Sequence, residues 1–554
     1  MPAPLDCLVL GYDDDTPRQF ARLAADRTGS VEARTFQRNQ VTIAGQPQTY
    51  LDVLNCLVGE SDRWQSRDDR PFYHVGEVSN LASIYLASYL MERGRSARAI
   101  GLIAAEEEEL IACLEEDRPR VAAITTTFYE DTIQVQGLVN LVRRHSPGTT
   151  IVVGGPLVQN LLADLPAAEF ERALRSMGAD LYVNEPEGEQ TLCAIIRAEL
   201  EGKPVDAIAN LFVQTGSGFH FTGASREQNP LDEGAIQWDH FPDDLLGRTV
   251  QTRTARSCAY HCSFCDYPIR AGRLSVRSVA SVERELDSLW RRGVANVVFV
   301  DDTFNVPEER FREICAMLIR RDFGFRWFSY FRCGSVRRAD TFDLMARSGC
   351  AGVFLGIESG DPAVLRHMDK ASTVEQYLRG TEALHQRGII TFASFICGFP
   401  GETAESVENT IGFINRAQPS LYRVEPWWYN HRSPIHHKRA EFGLEGRAYD
   451  WRHATMTASG ACDAIDEIFA RVKGPSWCPQ QSFSFWALPY LIGKGMTRSQ
   501  IEEFHRLLHR RLPARTVSGA STGDQPLDEL RAFVRGLDLE EPRFTRARKA
   551  MSSA

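Results

Sequence analysis

Three cysteines lie close together in one short segment of this chain, and their spacing is suited to an iron–sulfur cluster. Cys258, Cys262 and Cys265 follow the pattern C-x3-C-x2-C. Three thiolates on one tight loop can converge on three irons of a cubane and leave the fourth iron open. A tetrahedral zinc site would need a fourth ligand nearby, but the next cysteine, Cys315, stands alone. The spacing therefore favours a cluster over a zinc site or three unrelated thiols.

Composition limits the classes of protein to which the chain can belong. The 554 residues carry a net charge of -10, which disfavours a nucleic-acid-binding protein. No apolar run approaches the length of a membrane span, and no basic segment followed by an apolar run opens the chain. The 13 cysteines are odd in number and scattered, which indicates a reducing compartment rather than a disulfide framework. We expect a cytoplasmic protein with no nucleic-acid or membrane partner.

The N-terminal part alternates apolar β-branched strands with amphipathic helices, a pattern typical of a doubly wound parallel sheet. The strands include residues 121–127 and 150–156. Ligands of such sheets bind beyond the carboxyl ends of the strands. Small hydroxyl residues, glycines and one glutamate stand at those ends and are the candidate ligand contacts: Thr125, Thr126, Thr127, Gly154, Gly155, Glu187 and Gly188.

The middle of the chain repeats strand and helix about six times, which predicts a partial barrel rather than a closed eight-stranded one. The cysteine loop follows the first of these strands. Because the active sites of such barrels lie where strands meet the loops that follow them, the cluster would sit in the mouth of the barrel.

The expected fold class is α/β, with four parts. A Rossmann-like domain covers residues 1–215, a linker covers 216–248, a partial (β/α)6 barrel covers 249–435, and a mostly helical domain covers 436–554.

With these features together, the chain resembles the radical S-adenosylmethionine (SAM) superfamily. The resemblance implies that Cys258, Cys262 and Cys265 hold a [4Fe–4S] cluster whose open iron binds SAM. It also implies SAM contacts at several separate positions that match the family's motifs. The first is the aromatic residue beside the third cysteine, and the last is in the glycine turn on the fifth strand. These positions are Phe264, Asp301, Asp302, Arg332, Glu358, Ser359 and Gly398.

Residues 5–200 resemble the cobalamin-binding domain that precedes the barrel in one subfamily. The candidate ligand contacts at the strand ends would then touch the corrinoid. The D-x-H-x-x-G motif that supplies a lower cobalt ligand in many corrinoid proteins is absent, and His74 matches it only in part. The implied cofactors are a [4Fe–4S] cluster, SAM and cobalamin.

The nearest resemblance is to methyltransferases of natural-product pathways that methylate phosphinate phosphorus or indole and pyrrole carbons. The run at residues 483–490 fits that group. The resemblance implies methylation of a non-nucleophilic carbon, such as a pyrrole or indole carbon, or of a phosphinate phosphorus in antibiotic biosynthesis. The acceptor would be a small-molecule or carrier-bound intermediate, and the electron donor a flavodoxin or ferredoxin.

Three other functions compete with this one. A cobalamin-dependent radical SAM cyclase or ring-rearranging enzyme would share every motif above. A methylthiotransferase needs a second cluster, for which Cys7, Cys56 and Cys113 are the candidate ligands, although Cys7 lies in an apolar strand. A cobalamin sensor would not need the cysteine loop.

Overall fold

The computed structural model describes residues 4–13, 22–23, 25–26, 28–43, 46–60, 72–216, 218–479, 486–512 and 527–543, and these form two compact units. Unit 1 is built from the described parts of residues 1–17, 79–245 and 280–292. Unit 2 is built from the described parts of residues 18–78, 246–279 and 293–554. Of the run at 483–490, residues 483–485 lie outside the described residues.

Unit 1 contains a seven-stranded sheet, as the alternation of strands and helices predicts. Its strands are β1 (Cys7–Tyr12), β2 (Ala97–Leu102), β3 (Val121–Thr125), β4 (Thr150–Gly154), β5 (Leu181–Val183), β6 (Leu211–Thr215) and β7 (Gly218–Phe221). Their order in the sheet is β2-β1-β3-β4-β5-β6-β7. The first five run parallel, and β6 and β7 add an antiparallel edge from residues partly assigned to the linker.

The helices of unit 1 begin at side chains that cap their first turns. Asn80 accepts from the amide of Ser83, and Asp131 accepts from the amide of Ile133. Buried side chains of the central strands, such as Leu8, form a core with the apolar faces of these helices. The helices are Leu81–Met91, Glu107–Ala112, Thr132–His145, Pro156–Asp164, Ala167–Met177, Glu189–Glu201 and Val279–Arg291.

Unit 2 contains a second sheet in which all strands are parallel and follow one another in chain order. The strands are β8 (Thr249–Thr252), β9 (Asn296–Phe299), β10 (Arg326–Tyr330), β11 (Cys350–Glu358), β12 (Ile390–Cys397), β13 (Leu421–Pro426) and β14 (Ser476–Trp477). The first six are the expected strands of the partial barrel. The seventh comes from the region expected to be a separate helical domain, so that region extends the barrel sheet.

Helices of unit 2 follow most barrel strands and continue after residue 435. They are Val31–Arg38, Tyr50–Val58, Tyr267–Ala271, Glu308–Arg321, Thr341–Arg347, Pro362–His367, Val374–Gln386, Ala404–Ala417, Arg439–Phe442, Ala458–Arg471, Ala487–Gly493, Arg498–His509 and Asp528–Arg535. Short antiparallel strands occupy Val41–Ile43, Gln46–Gln48, Ala255–Arg256, Ser275–Val276, Glu445–Arg447, Asp450–His453 and Met456–Thr457. Among the described helices, none is long and apolar enough to cross a membrane.

Residues 28–43 are held in unit 2 by buried polar contacts, whereas the sequence places them in the N-terminal domain. Arg34 and Arg38 each donate to the carboxylate of Asp466, at 2.8 and 2.7 Å. The indole N–H of Trp477, in β14, donates to Asn39 Oδ1 at 2.9 Å. These partners are more than 420 residues apart in the chain, which is why sequence pattern alone assigns the segment to its chain neighbours.

Candidate active site

The approach to the cysteine loop is fixed by a buried aspartate. Asp301 follows β9, and one of its carboxylate oxygens accepts from the backbone amides of Thr254 and Ala255 at 2.6 and 2.8 Å. The other oxygen accepts from the Thr254 hydroxyl. Burial raises the pKa of Asp301, while these donors act in the opposite direction. Asp301 therefore holds the segment just before the loop, and its oxygens are already engaged, in contrast to the SAM contact implied by the resemblance.

The cysteine loop itself is tied to two neighbouring segments. The Ser263 amide donates to Met368 O, and the Ile435 amide donates to Ser263 O, both at 2.8 Å. Cys262 is buried, whereas Cys258 and Cys265 are partly exposed. No three His, Cys, Asp or Glu side chains in the described part of the chain are arranged to hold a single metal ion. Among those residues, no set of side chains is arranged to bind one zinc ion. A cubane differs because each of its three thiolates binds a different iron.

Arg332, which the resemblance predicts as a SAM contact, lies directly against this loop. Its Nη1 approaches Cys262 Sγ to 3.8 Å, and its guanidinium lies 3.6 Å from the ring centroid of Tyr260. The Tyr260 hydroxyl is fixed by a 2.6 Å hydrogen bond with Ser335, and Arg332 Nε donates to Ser372. Arg332 Nη2 is buried without a hydrogen-bond partner. An unsatisfied buried guanidinium nitrogen is unfavourable, so this nitrogen is suited to an anionic ligand group such as a carboxylate.

Glu358 is paired with a lysine that sequence reasoning missed. Lys370 Nζ donates to Glu358 Oε1 at 2.8 Å and lies 5.4 Å from the ring centroid of Phe264. Burial acts to lower the pKa of Lys370, but the Glu358 carboxylate raises it above its usual range. The residue therefore stays charged although it is buried. No motif spacing in the sequence points to Lys370; only its three-dimensional position does.

The position of Gly398 requires a glycine. Its φ is +92°, and a Cβ would lie 2.7 Å from the indole of Trp451. The Gly398 amide donates to Glu402, whose pKa is raised to about 7 by burial. Gly398 is thus a packed turn residue at the end of β12, and an adenine contact would come from its backbone.

The other two predicted SAM contacts differ in accessibility. Asp302 is exposed at the surface, and desolvation raises its pKa to about 7, with a further contribution from Asp301. Ser359 is fully buried and accepts from the amide of Asp361 at 3.1 Å. Asp302 remains accessible to a ligand, whereas Ser359 serves the turn after β11. A ribose contact for Ser359 stays a prediction.

The aromatic residues after β13 are mostly core residues rather than an open wall. Trp427 and Tyr429 are buried, and Trp427 packs against Phe399 and Trp451 with ring centroids 5.2 and 5.4 Å apart. Trp428 alone is exposed, at 55%. The structure therefore places Trp427 and Tyr429 in the core.

Residues 252–414, which include the three cysteines and the Arg332 and Glu358 contacts, match the Radical SAM superfamily. This part of the chain is a radical SAM domain. The match begins at the end of β8 and ends in the helix Ala404–Ala417, so it covers four of the six strands that follow β8.

Two curated relatives extend the likeness beyond the radical SAM domain. An uncharacterized methyltransferase of Pyrococcus horikoshii is 26% identical over 353 residues, which cover 61% of this chain and 73% of the relative. The anaerobic magnesium-protoporphyrin IX monomethyl ester cyclase of Rubrivivax gelatinosus is 26% identical over 446 residues, which cover 73% of this chain and 75% of the relative.

A solved structure shares the fold over most of the chain. The radical SAM methyltransferase TsrM from Kitasatospora setae, determined with cobalamin and a [4Fe–4S] cluster bound, superposes with a TM-score of 0.60. The alignment covers 78% of this chain and 96% of that chain at 18% identity. At this identity the likeness establishes the fold, which agrees with the expected combination of a Rossmann-like domain and a partial barrel.

The residues of the radical SAM domain fit a cluster with bound SAM. Three thiols lie on one loop at the mouth end of β8, and Arg332 Nη2 offers an unsatisfied donor beside Cys262. Asp302 offers an accessible carboxylate for an amino group, and Phe264 offers a partly buried ring. The Arg332 guanidinium is suited to the carboxylate of an amino acid, and the Asp302 carboxyl, with its pKa raised to about 7, can accept a hydrogen bond from the amino group.

Unit 1 gathers the remaining predicted residues at one edge of its sheet. The order β2-β1-β3-β4-β5 changes direction between β1 and β3, and in such sheets ligands bind at that point, outside the carboxyl ends of the strands. Thr125 and Thr126 are buried, and Thr126 Oγ1 donates to Gly154 O at 2.9 Å. Thr127 is exposed and remains accessible. Gly155 has a φ of +109°, which favours glycine.

The chain itself occupies one helix N-terminus at this edge. Glu227, from the predicted linker, accepts from the amides of Gln190 and Thr191 at 2.8 Å each. Glu187 likewise accepts from the amide of Asn229, at 3.0 Å. These amides of the helix Glu189–Glu201 are therefore already satisfied, and the linker folds onto unit 1. Sequence reasoning missed Glu227, since its partners lie 36 residues away.

His74 does not resemble a prepared cobalt ligand. Its Nδ1 accepts from the Gly76 amide at 2.9 Å, and the residue belongs to unit 2.

Proposed function

We propose that this protein is a cobalamin-dependent radical SAM methyltransferase that methylates a non-nucleophilic carbon. The observation that carries the proposal is the presence, in one chain, of a radical SAM domain and a parallel sheet with the strand order 2-1-3-4-5. That order has its ligand-binding edge between the first and third strands. A TM-score of 0.60 to TsrM over 78% of the chain supports the combination.

The residues of unit 2 bind and orient SAM in this proposal. When bound, the cluster supplies the electron that cleaves SAM, and cobalamin supplies methyl-transfer chemistry that SAM alone cannot direct to an unreactive carbon. Arg332 pairs with the SAM carboxylate through Nη2, and Asp302 accepts from the amino group. Phe264 packs on the adenine, and Glu358 reaches the ribose while Lys370 holds it. Asp301 keeps the cysteine loop in place.

The residues of unit 1 hold cobalamin through backbone and one hydroxyl. Gly154 and Gly155 present main chain without side chains, and the exposed Thr127 presents a free hydroxyl group. The other four predicted residues support the backbone of the same edge. Three make hydrogen bonds to main-chain atoms, and one has a positive φ: Thr125, Thr126 and Glu187, and Gly188, respectively.

The test is anaerobic reconstitution with iron, sulfide and cobalamin, followed by SAM labelled in its methyl group and a panel of indole, pyrrole and phosphinate acceptors. We expect S-adenosylhomocysteine to form only when cobalamin is present, and the label to appear in an acceptor. Absence of cobalamin-dependent S-adenosylhomocysteine would exclude the methyltransferase. The panel also decides between a heteroaromatic carbon and a phosphinate phosphorus, and between free and carrier-bound acceptors.

A cobalamin-dependent cyclase is the second candidate, since the cyclase of Rubrivivax gelatinosus matches 73% of the chain. In that case SAM would yield 5′-deoxyadenosine without transfer of the methyl label. A methylthiotransferase is disfavoured because Cys7 and Cys113 are buried, and burial raises the pKa of the Cys113 thiol to about 12. The antibiotic pathway, the flavodoxin or ferredoxin donor, the cytoplasmic location and the four domain boundaries remain predictions.

A further inference from the structure

Two buried cations flank the central cysteine of the loop. Arg332 stacks on Tyr260, two residues before Cys262, and Lys370 lies over Phe264, two residues after it. Both cations are buried, with relative exposures of 5% and 6%. A cation on an aromatic face is attracted by the ring, so each side of the loop is held by one such contact.

Only one of the two cations has a carboxylate partner among the described residues. Lys370 is paired with Glu358 at 2.8 Å. Among the described residues, Arg332 has no carboxylate partner, and its contacts are Ser372, Cys262 Sγ and the Tyr260 ring. Within this group of three side chains, two cations and one carboxylate leave one net positive charge. Buried charge is unfavourable unless it is compensated, which indicates that these cations face negative charge in the loaded protein.

The cysteine thiolates and the cluster that they hold would supply the negative charge that these cations face. Each one-electron reduction adds a further negative charge to the cluster, and the reduction potential depends on net charge and on hydrogen bonds to the sulfurs. The resemblance already gives Arg332 a role in binding SAM. Lys370 has no assigned role, and its Nζ lies 5.4 Å from the ring centroid of Phe264.

We propose that Lys370 is a positioning residue that raises the reduction potential of the cluster, with Glu358 as the counter-charge that limits the effect. The proposal rests on the proposed function in so far as Cys258, Cys262 and Cys265 hold a [4Fe–4S] cluster. The reaction concerned is a one-electron reduction of the oxidised cluster by an external reductant, with no bond formed or broken. Lys370 acts through its charge and does not touch the electron donor.

The experiment is a redox titration of reconstituted full-length protein without SAM, monitored by the electron paramagnetic resonance signal of the reduced cluster. We expect Lys370→Met to lower the midpoint potential, because the reduced cluster loses a nearby cation. We expect Glu358→Gln to raise it, because Lys370 then lacks its counter-charge. Omitting SAM separates an electrostatic effect on the cluster from any effect on SAM binding.

Lys494→Met is the matched control. Lys494 is also a buried lysine of unit 2, paired with Glu77 at 2.6 Å, but it has no contact with the cysteine loop in the described structure. We expect its potential to equal that of the unsubstituted protein. Equal potentials for Lys370→Met and the unsubstituted protein, at equal iron content, would overturn the proposal. So would shifts of the same sign for Lys370→Met and Glu358→Gln.

Iron and sulfide analysis keeps the two proposals distinguishable. If the unsubstituted protein binds no cluster, the proposed function and this inference both fail. If Lys370→Met alone loses the cluster, Glu358→Gln decides: a raised potential supports the charge effect, and an unchanged one refutes it.

Discussion

Replacing Asp301 separates a structural aspartate from a ligand-binding one. Asp301 accepts from two backbone amides and one hydroxyl at the start of the cysteine loop. In Asp301→Ala both buried amides lose their acceptor. An unsatisfied buried donor costs about 1–3 kcal/mol, so the substitution should lower the free energy of unfolding of unit 2 by roughly 2–6 kcal/mol. Relief from burying the carboxylate charge offsets part of this loss.

Asp301→Asn should be much milder, because its amide oxygen can still accept from the amides of Thr254 and Ala255. The expected loss is roughly 1–2 kcal/mol, the difference between charged and neutral acceptors. Asp302→Asn is the matched control next in the chain. Because desolvation raises the pKa of the Asp302 carboxyl to about 7, removal of its charge should leave the free energy of unfolding at pH 7 unchanged or raise it.

The assay is chemical denaturation of the metal-free protein, together with iron content after reconstitution and SAM binding by equilibrium dialysis. We expect Asp301→Ala to lose stability and iron, and Asp302→Asn to lose SAM affinity alone. The reasoning is refuted if Asp301→Ala unfolds within about 1 kcal/mol of the unsubstituted protein. Loss of SAM affinity in Asp301→Asn at full stability would restore the ligand role that the resemblance implies.

Three further outcomes are expected. Arg332→Met should weaken SAM binding to the reconstituted protein about 10- to 100-fold, the worth of one charge-assisted hydrogen bond, and unchanged affinity would contradict the assignment. Gly155→Ala places a Cβ 2.9 Å from a threonine hydroxyl, at a φ of +109°, and should destabilise unit 1 by about 1–3 kcal/mol in a thermal unfolding assay. Gly137→Ala, at an open helical position, is the control and should stabilise unit 1 slightly in the same assay. Burial lowers the pKa of His505 and of His509 to about 4, below the usual 6.5. The free energy of unfolding should therefore be highest above pH 6.5 and should fall as the pH is lowered towards 4, by at most roughly 3 kcal/mol for each histidine. A variant with both histidines changed to Gln should show a flatter dependence of unfolding free energy on pH over that interval, and an unchanged slope would contradict the assignment.

The fold class could be predicted from the sequence because each strand and helix has its own local signal. The β-branched run at 121–127 becomes β3, and six of the seven strands of the second sheet fall where the alternation predicts them. The seventh, Ser476–Trp477, has only two residues, too short for a period-two pattern. It pairs with β13 more than 50 residues earlier in the chain.

The motifs of the candidate site could be predicted from the sequence, but the burial and the hydrogen-bond partners of each side chain could not. Asp301 and Asp302 are adjacent and chemically identical, yet one is buried under three donors and the other is exposed. Spacing cannot distinguish them, because burial depends on Thr254 and Ala255, which are 47 and 46 residues away from Asp301. For the same reason Lys370 was missed, since its partner Glu358 belongs to a different strand and loop.

The sequence alone determined the chemistry of the cysteine loop, because C-x3-C-x2-C places three thiolates within one short segment whatever the rest of the chain does. Tertiary structure decided what surrounds that loop: Arg332 and Lys370 contact its aromatic residues, and Asp301 accepts hydrogen bonds from the segment just before it. It also decided that residues 28–43 contact Asp466 and Trp477, more than 420 residues away in the chain. The physical reason is that local patterns are encoded over a few residues. Burial, ion pairing and unsatisfied donors arise only when segments far apart in the chain pack together.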